Sequence, residues 1–109
     1  MALTFEEDIR RVLSNIPRGT VLTYGEVAEE SGHPGASRAV GNLLAHGDGA
    51  LPWWRVVTST GRLVPGNERE HAQRLSAEGV RVTNGHVDMG ARQLLRGRAV
   101  KSGRRTENR

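Results

Sequence analysis

Phe5, Ile9, Val12, Leu13 and Ile16 recur at i, i+4, i+7, i+8 and i+11, which places them on one face of a helix. Thr4 followed by Glu7 is a capping-box pattern in front of that face, and Pro17 and Gly19 end the element. A second box, Thr23 to Glu26, opens a helix running to about Ser31 with Val27 and Ala28 inward. Gly32-His33-Pro34-Gly35 breaks it. A third helix is expected from Ser37, burying Val40, Leu43 and Leu44 and stopping at Gly47.

Two short helices joined by a tight glycine-containing turn form a helix-turn-helix pattern. Ser37 and Arg38 open its second helix, where a recognition helix meets nucleic acid. Further on, Val56-Val57 is read as a short strand that Gly61 turns back into Arg62-Leu63-Val64, a two-stranded wing. Asn67 and Glu70 are an N-cap and N3 pair for a helix with Ala72 and Leu75 inward, closed by Gly79. Val80 and Val82 form another short strand, and Asp88 caps a last helix containing Met89, Leu94 and Leu95. The fold class is mainly α with a small β wing, a winged helix-turn-helix-like domain. Residues 1–96 form one domain, and residues 97–109 read as a basic, disordered tail.

Charge changes this picture in one place. The chain of 109 residues carries a net charge of +4. From Ala91 onward seven basic residues face Glu107 alone, a local charge of +6 that leaves −2 for residues 1–90. A tail of that kind suits a polyanion, nucleic acid above all, or is simply solvated. Composition also removes chemistries. With no cysteine there is no disulfide, no thiolate metal site and no cysteine nucleophile. His33, His46, His71 and His86 show no metal-ligand spacing and are each read as surface histidines, so neither a metal nor a cofactor is expected. No phosphate loop and no Ser-His-Asp arrangement stands out, and no catalytic residue is assigned. The start of the chain lacks a signal-peptide run and no stretch is long enough to cross a bilayer, which makes a soluble, cytoplasmic (nucleoid-associated if bacterial), monomeric domain without a membrane partner the expectation.

Aromatic residues make up only 4% of the chain, yet Trp53 and Trp54 are adjacent, between Pro52 and Arg55. In an extended segment neighbouring side chains point to opposite sides. One tryptophan is then expected to reach the core and the other to line a groove, where an indole beside an arginine suits stacking on a nucleobase.

Four segments occur in the order and spacing of one family: Gly19-Thr20-Val21-Leu22-Thr23-Tyr24-Gly25-Glu26-Val27-Ala28, Ser37-Arg38-Ala39-Val40-Gly41, Pro52-Trp53-Trp54-Arg55-Val56-Val57, and Glu78-Gly79-Val80. From about Phe5 to Leu95 the chain resembles the DNA-binding domain of the O6-alkylguanine-DNA alkyltransferases. In those enzymes the third motif is Pro-Cys-His-Arg and its cysteine accepts the alkyl group. Trp53 stands at the cysteine position, which makes the chain similar to the alkyltransferase-like proteins. The resemblance implies a non-enzymatic protein that flips an O6-alkylated guanine out of duplex DNA, holds it and attracts nucleotide-excision-repair proteins. By position, Tyr24 matches the tyrosine that pushes on the phosphate beside the flipped nucleotide, and Arg38 the arginine that fills the vacated stack. Trp53 would floor the lesion pocket, with Trp54 beside it and Val56 along its wall. Arg55 matches the motif arginine, either a pocket clamp or the partner of a carboxylate such as Glu78. Glu78 matches the relay glutamate, left with a structural role. Trp54 replaces the histidine usual at its position, the 46–51 loop lacks the usual Asn-Pro, and the 63–67 segment lacks the usual Gly-Tyr of the pocket lid. The alternative from a different class is a winged-helix transcription regulator on undamaged DNA; an enzyme with an acceptor other than cysteine is a third reading, for which no activated nucleophile is evident.

Overall fold

The computed structural model describes residues 4–47 and 50–92. In chain order it contains α1 (Phe5–Ser14), β1 (Leu22–Thr23), α2 (Tyr24–Glu30), α3 (Ser37–Ala45), a 3-10 turn (Trp53–Arg55), β2 (Val56–Val57), α4 (Glu68–Ala77), β3 (Val82–Thr83), β4 (His86–Val87) and a second 3-10 turn (Met89–Ala91). Four helices and two tiny sheets are the helical domain with a β wing that the hydrophobic pattern predicts. Leu94, Leu95 and the basic tail lie outside the described residues.

Both capping boxes form in full. The Thr4 and Thr23 hydroxyls accept from the N–H groups of Glu7 and Glu26, and those carboxylates accept from the two threonine N–H groups. Two donors that a helix start leaves without partners are thereby satisfied at each end. Helix α3 starts at Ser37 without a side-chain cap. Of its three expected core residues only Val40 is fully buried; Leu43 and Leu44 are half-buried against the same cluster.

The strand pairing differs from the expected wing. Val56 and Val57 do not pair with residues 62–64. They pair in parallel with β1, Leu22 opposite Val56 and Thr23 opposite Val57. A partner 34 positions away leaves no local signature, and two-residue strands carry no alternation to read. This ribbon divides the core. Leu22 and Val56 face a first cluster with Ile9, Val12, Leu13, Ile16, Val27, Ala28 and Val40. Val21 and Val57 face a second with Leu63, Leu75, Val80 and Val87. Val56 is fully buried in the first cluster and not on a pocket wall.

The actual wing is the β3–β4 hairpin, Val82 opposite Val87 and Thr83 opposite His86, with Arg62 bridging to His86 on its outer side. Asn84 and Gly85 form its two-residue turn with φ of 52° and 78°, the left-handed pair that matches strand twist in a tight hairpin. Val80 is buried just before the strand. Gly61 ties residues 58–62 to this hairpin: its φ is 87°, its carbonyl accepts from the Val87 N–H, and a Cβ there would sit 2.5 Å from the Val87 carbonyl oxygen. The expected N-cap of α4 is in place as Asn67, but its side chain makes no capping bond. The buried face of α4 is His71 and Leu75, with Ala72 half-buried. His71 is fully buried and not a surface histidine.

Candidate functional site

Tyr24 and Trp53 line one cavity of about 360 Å³, together with Gly41, Leu44 and Ala45 of α3, Gly47, Val64 and Asn67. The volume lies within the range of small-molecule sites. Tyr24 is placed by the Thr23 cap, which fixes it as the first residue of α2. Its ring lies against Gly41, where an added Cβ would meet the ring carbons at 3.9 Å. Burial pushes the Tyr24 phenol above its ordinary value of 10, so the hydroxyl stays protonated and able to donate at neutral pH. Ser37 and Arg38 are exposed at the start of α3. Among the described residues Arg38 has no ion-pair or hydrogen-bond partner, which leaves its guanidinium available to an incoming ligand.

The tryptophan pair is not extended. Residues 53–55 make one 3-10 turn, which sets the two indoles perpendicular with centroids 6.0 Å apart. Neither tryptophan is fully buried. Trp53 meets the cavity, while Trp54 turns to the second cluster and does not line it. The Arg74 guanidinium lies 4.6 Å from the Trp54 ring and 5.7 Å from the Trp53 ring, close enough for cation–π attraction to both. Of the four expected pocket residues the structure brings Trp53 to the cavity; Trp54, Arg55 and Val56 stand behind it.

Arg55 and Trp54 converge on Glu78. Arg55 Nη2 donates to Glu78 Oε2 at 2.7 Å and Nε to Oε1 at 3.0 Å, while Nη1 donates to the Ile16 carbonyl at 2.8 Å. The Trp54 indole N–H donates to Oε2 and the Gly19 N–H to Oε1, both at 2.8 Å. The Glu78 side chain is only 4% exposed. Burial by itself raises the pKa of this carboxyl, but the bonds from Arg55, Gly19 and Trp54 outweigh it and hold the value at about 2, against an ordinary 4.5. Thus Arg55 is the clamp of the salt bridge rather than a cavity ligand. Trp54, standing where the resemblance places a histidine, donates its ring N–H to the same glutamate.

His71 is the residue that sequence reasoning missed. Its Nδ1 accepts from the Val64 N–H at 3.1 Å and its Nε2 donates to the Trp54 carbonyl at 2.8 Å. One ring nitrogen accepting and the other donating defines a neutral imidazole. Burial accordingly lowers its pKa below 6.5, against a smaller opposing effect of the Trp54 carbonyl. The ring meets the Trp53 ring edge-on at 5.1 Å. His71 therefore binds the Val64 wall of the cavity to the turn that carries its floor. The signal available in the sequence was its i, i+4 spacing to Leu75.

A second, polar cleft of about 470 Å³ lies among Arg18, Gly19, Glu78 to Arg81, Asp88, Ala91 and Arg92. It is larger, but three of its five charged side chains are engaged in the fold: Arg92 donates to both Glu26 oxygens at 2.7 Å, Arg18 donates to the Ala77 carbonyl at 2.7 Å, and Glu78 is held as above. Among the described residues no group of three or more His, Asp or Glu side chains could hold a metal ion, and no helix is long and apolar enough to cross a membrane.

Residues 4–80 match the model of the 6-O-methylguanine DNA methyltransferase DNA-binding domain. The chain belongs to that family. Its relatives include the DNA base-flipping proteins of Vibrio parahaemolyticus, 41% identical over 72% of this chain and 83% of that protein, and of Escherichia coli, 38% identical over 79% and 70%. Among solved structures, the alkyltransferase-like protein of Schizosaccharomyces pombe, crystallised with damaged DNA containing O6-carboxymethylguanine, superposes with a TM-score of 0.67 at 32% identity over 76% of this chain and 83% of that one.

Proposed function

We propose that this protein recognises O6-alkylguanine in duplex DNA without repairing it, by flipping the nucleotide into the cavity beneath Tyr24 and holding it there. The observation that carries the reading is Trp53 facing a cavity shared with Tyr24, in a chain with no cysteine. An indole offers a flipped base an apolar, polarizable surface and cannot accept an alkyl group under mild conditions. Arg38, exposed at the start of α3, is the residue that fills the vacated stack. Extrusion costs a few kcal/mol of stacking and pairing, so a filler is physically required. Ser37 and the N-terminal turn of α3 lie against phosphate, where backbone N–H groups favour anions. The name of the base-flipping relatives and the damaged DNA bound by the S. pombe relative support the same reading. The held complex then serves as the mark for nucleotide-excision-repair proteins.

The test is fluorescence anisotropy with two duplexes of one sequence, one containing a single O6-methylguanine and the other guanine. Lesion binding tighter by about tenfold or more, which is about 1.4 kcal/mol, is the expected result. Arg38→Ala and Tyr24→Ala should each weaken it while the variants remain folded. Equal, salt-sensitive binding to both duplexes would overturn the proposal in favour of a regulator of undamaged DNA. A methyl adduct on the protein, detected by mass spectrometry, would overturn the non-enzymatic part.

A further inference from the structure

We infer that Asn67 reads the hydrogen-bonding edge of the flipped base and so distinguishes O6-alkylguanine from guanine; the inference rests on the proposed function. Asn67 is half-buried on the cavity wall, at the start of α4. Its main chain is fully engaged: the N–H donates to the Val64 carbonyl and the carbonyl accepts from the His71 N–H, both at 3.0 Å. Its carboxamide is not. Asparagine is a preferred N-cap because its side chain bonds to the first turn, yet here it makes no such bond, and among the described residues the carboxamide has no other partner. The Glu68 carboxylate accepts from the neighbouring Gly66 N–H instead. The backbone is thus fixed by the fold, while a carboxamide with an NH2 donor group and a carbonyl acceptor is left unpartnered on a residue of a cavity lined otherwise by Tyr24, Trp53 and the small or apolar Gly41, Leu44, Ala45, Gly47 and Val64.

The chemistry of the lesion matches that pair. Alkylation of O6 removes the N1 proton of guanine, so N1 becomes an acceptor beside the unchanged N2 amino donor. A carboxamide meets this edge with both groups, its NH2 donating to N1 and its oxygen accepting from the amino group. Guanine presents two donors, N1–H and N2–H. With the base held at that same N1–N2 edge, whichever way the carboxamide is turned its own NH2 opposes a donor and one polar pair is left unmade. Discrimination of this kind comes from the mismatch, because an unpaired polar group in a cavity is costly.

The logic can be reversed with one atom. Asn67→Asp keeps the shape and a favoured N-cap residue but presents two acceptors, the complement of guanine and the wrong partner for a bare N1. Its negative charge weakens binding to any DNA alike, so the readout is the ratio of affinities for the O6-methylguanine and guanine duplexes. Asn67→Asp should lower that ratio by about tenfold or more, within the range of a bidentate base contact, and Asn67→Ala should lower it without reversing it. A ratio unchanged in Asn67→Asp, in a variant that melts like wild type, overturns the inference while a lesion preference in the wild type leaves the proposed function standing. Absence of that preference in the wild type overturns both.

Discussion

Replacing Glu78 by glutamine isolates the buried ion pair behind the cavity. The carboxylate accepts from Arg55, Trp54 and the Gly19 N–H and is 4% exposed. Its pKa of about 2, against an ordinary 4.5, measures how much better the folded protein holds the anion than the unfolded chain does. At about 1.4 kcal/mol for each tenfold change in proton affinity, the difference is about 3 kcal/mol. The sign follows from the lowered value. That stability is present in full above about pH 4.5 and is lost as pH falls toward 2. Glutamine also leaves the Arg55 guanidinium, only 16% exposed, facing a neutral amide, which adds to the loss. At pH 7, Glu78→Gln should therefore unfold about 3 kcal/mol more easily, a drop in Tm on the order of 12 °C for a domain of this size. Urea titration followed by circular dichroism at pH 7 and again near pH 2.5 is the assay. The gap between variant and wild type should narrow sharply at the lower pH. An equal gap at both pH values, or none at pH 7, refutes the assignment of the stabilisation to the ionised carboxylate.

Other substitutions test other joints. His71 is held neutral, so stability should fall as pH drops below 6.5 toward its lowered pKa, and the pH dependence between 7.5 and 5 should flatten in His71→Phe; an imidazole NMR titration at or above 6.5 would contradict this. Gly61→Ala should cost about 2–5 kcal/mol, since left-handed strain of about 1–2 kcal/mol adds to the overpacking of a Cβ only 2.5 Å from the Val87 carbonyl oxygen. Gly66→Ala, with φ of 84° and open space around the added carbon, should cost only that strain, and urea midpoints of the two variants would separate the effects. Thr23→Ala should cost about 1 kcal/mol by removing the cap that sets Tyr24 at the start of α2, and should weaken lesion binding beyond that loss of stability.

Features written in short range were legible in the sequence. The two capping boxes, the apolar face of α1 and the glycine break before α3 each act within four residues, and each forms as read. The β1–β2 ribbon was not legible, because the parallel pairing of Leu22 with Val56 is fixed by packing of distant residues on either side of the ribbon and not by a local turn. The Asn84-Gly85 turn is marked by its own residue pair, which favours a tight hairpin, while the apolarity of Val80 and Val82 alone does not place the strand. For the candidate site, motif spacing singles out Tyr24 and Trp53, and both line the same cavity. It did not separate Trp53 from Trp54, because the 3-10 turn rotates neighbours by about 120° where a strand would alternate them. The polarity of His71 points to the surface and its spacing to Leu75 to the core; the core wins because both ring nitrogens find partners there.

The parallel ribbon bears on how such a molecule comes into being. Its pairing closes a loop of about 34 residues, an entropic cost of about 3 kcal/mol before any contact compensates it. Val56 completes the cluster on which α1, α2 and α3 pack, so a nascent chain that ends before the tryptophan turn has the helices of the helix-turn-helix without the residue that seals them. Segments that would approach a duplex and segments that would receive a base are joined at the same late, long-range closure. The helix-turn-helix is not a detachable module to which a pocket was added: on the proposed function, a chain folded well enough to dock would already have a cavity for the nucleotide.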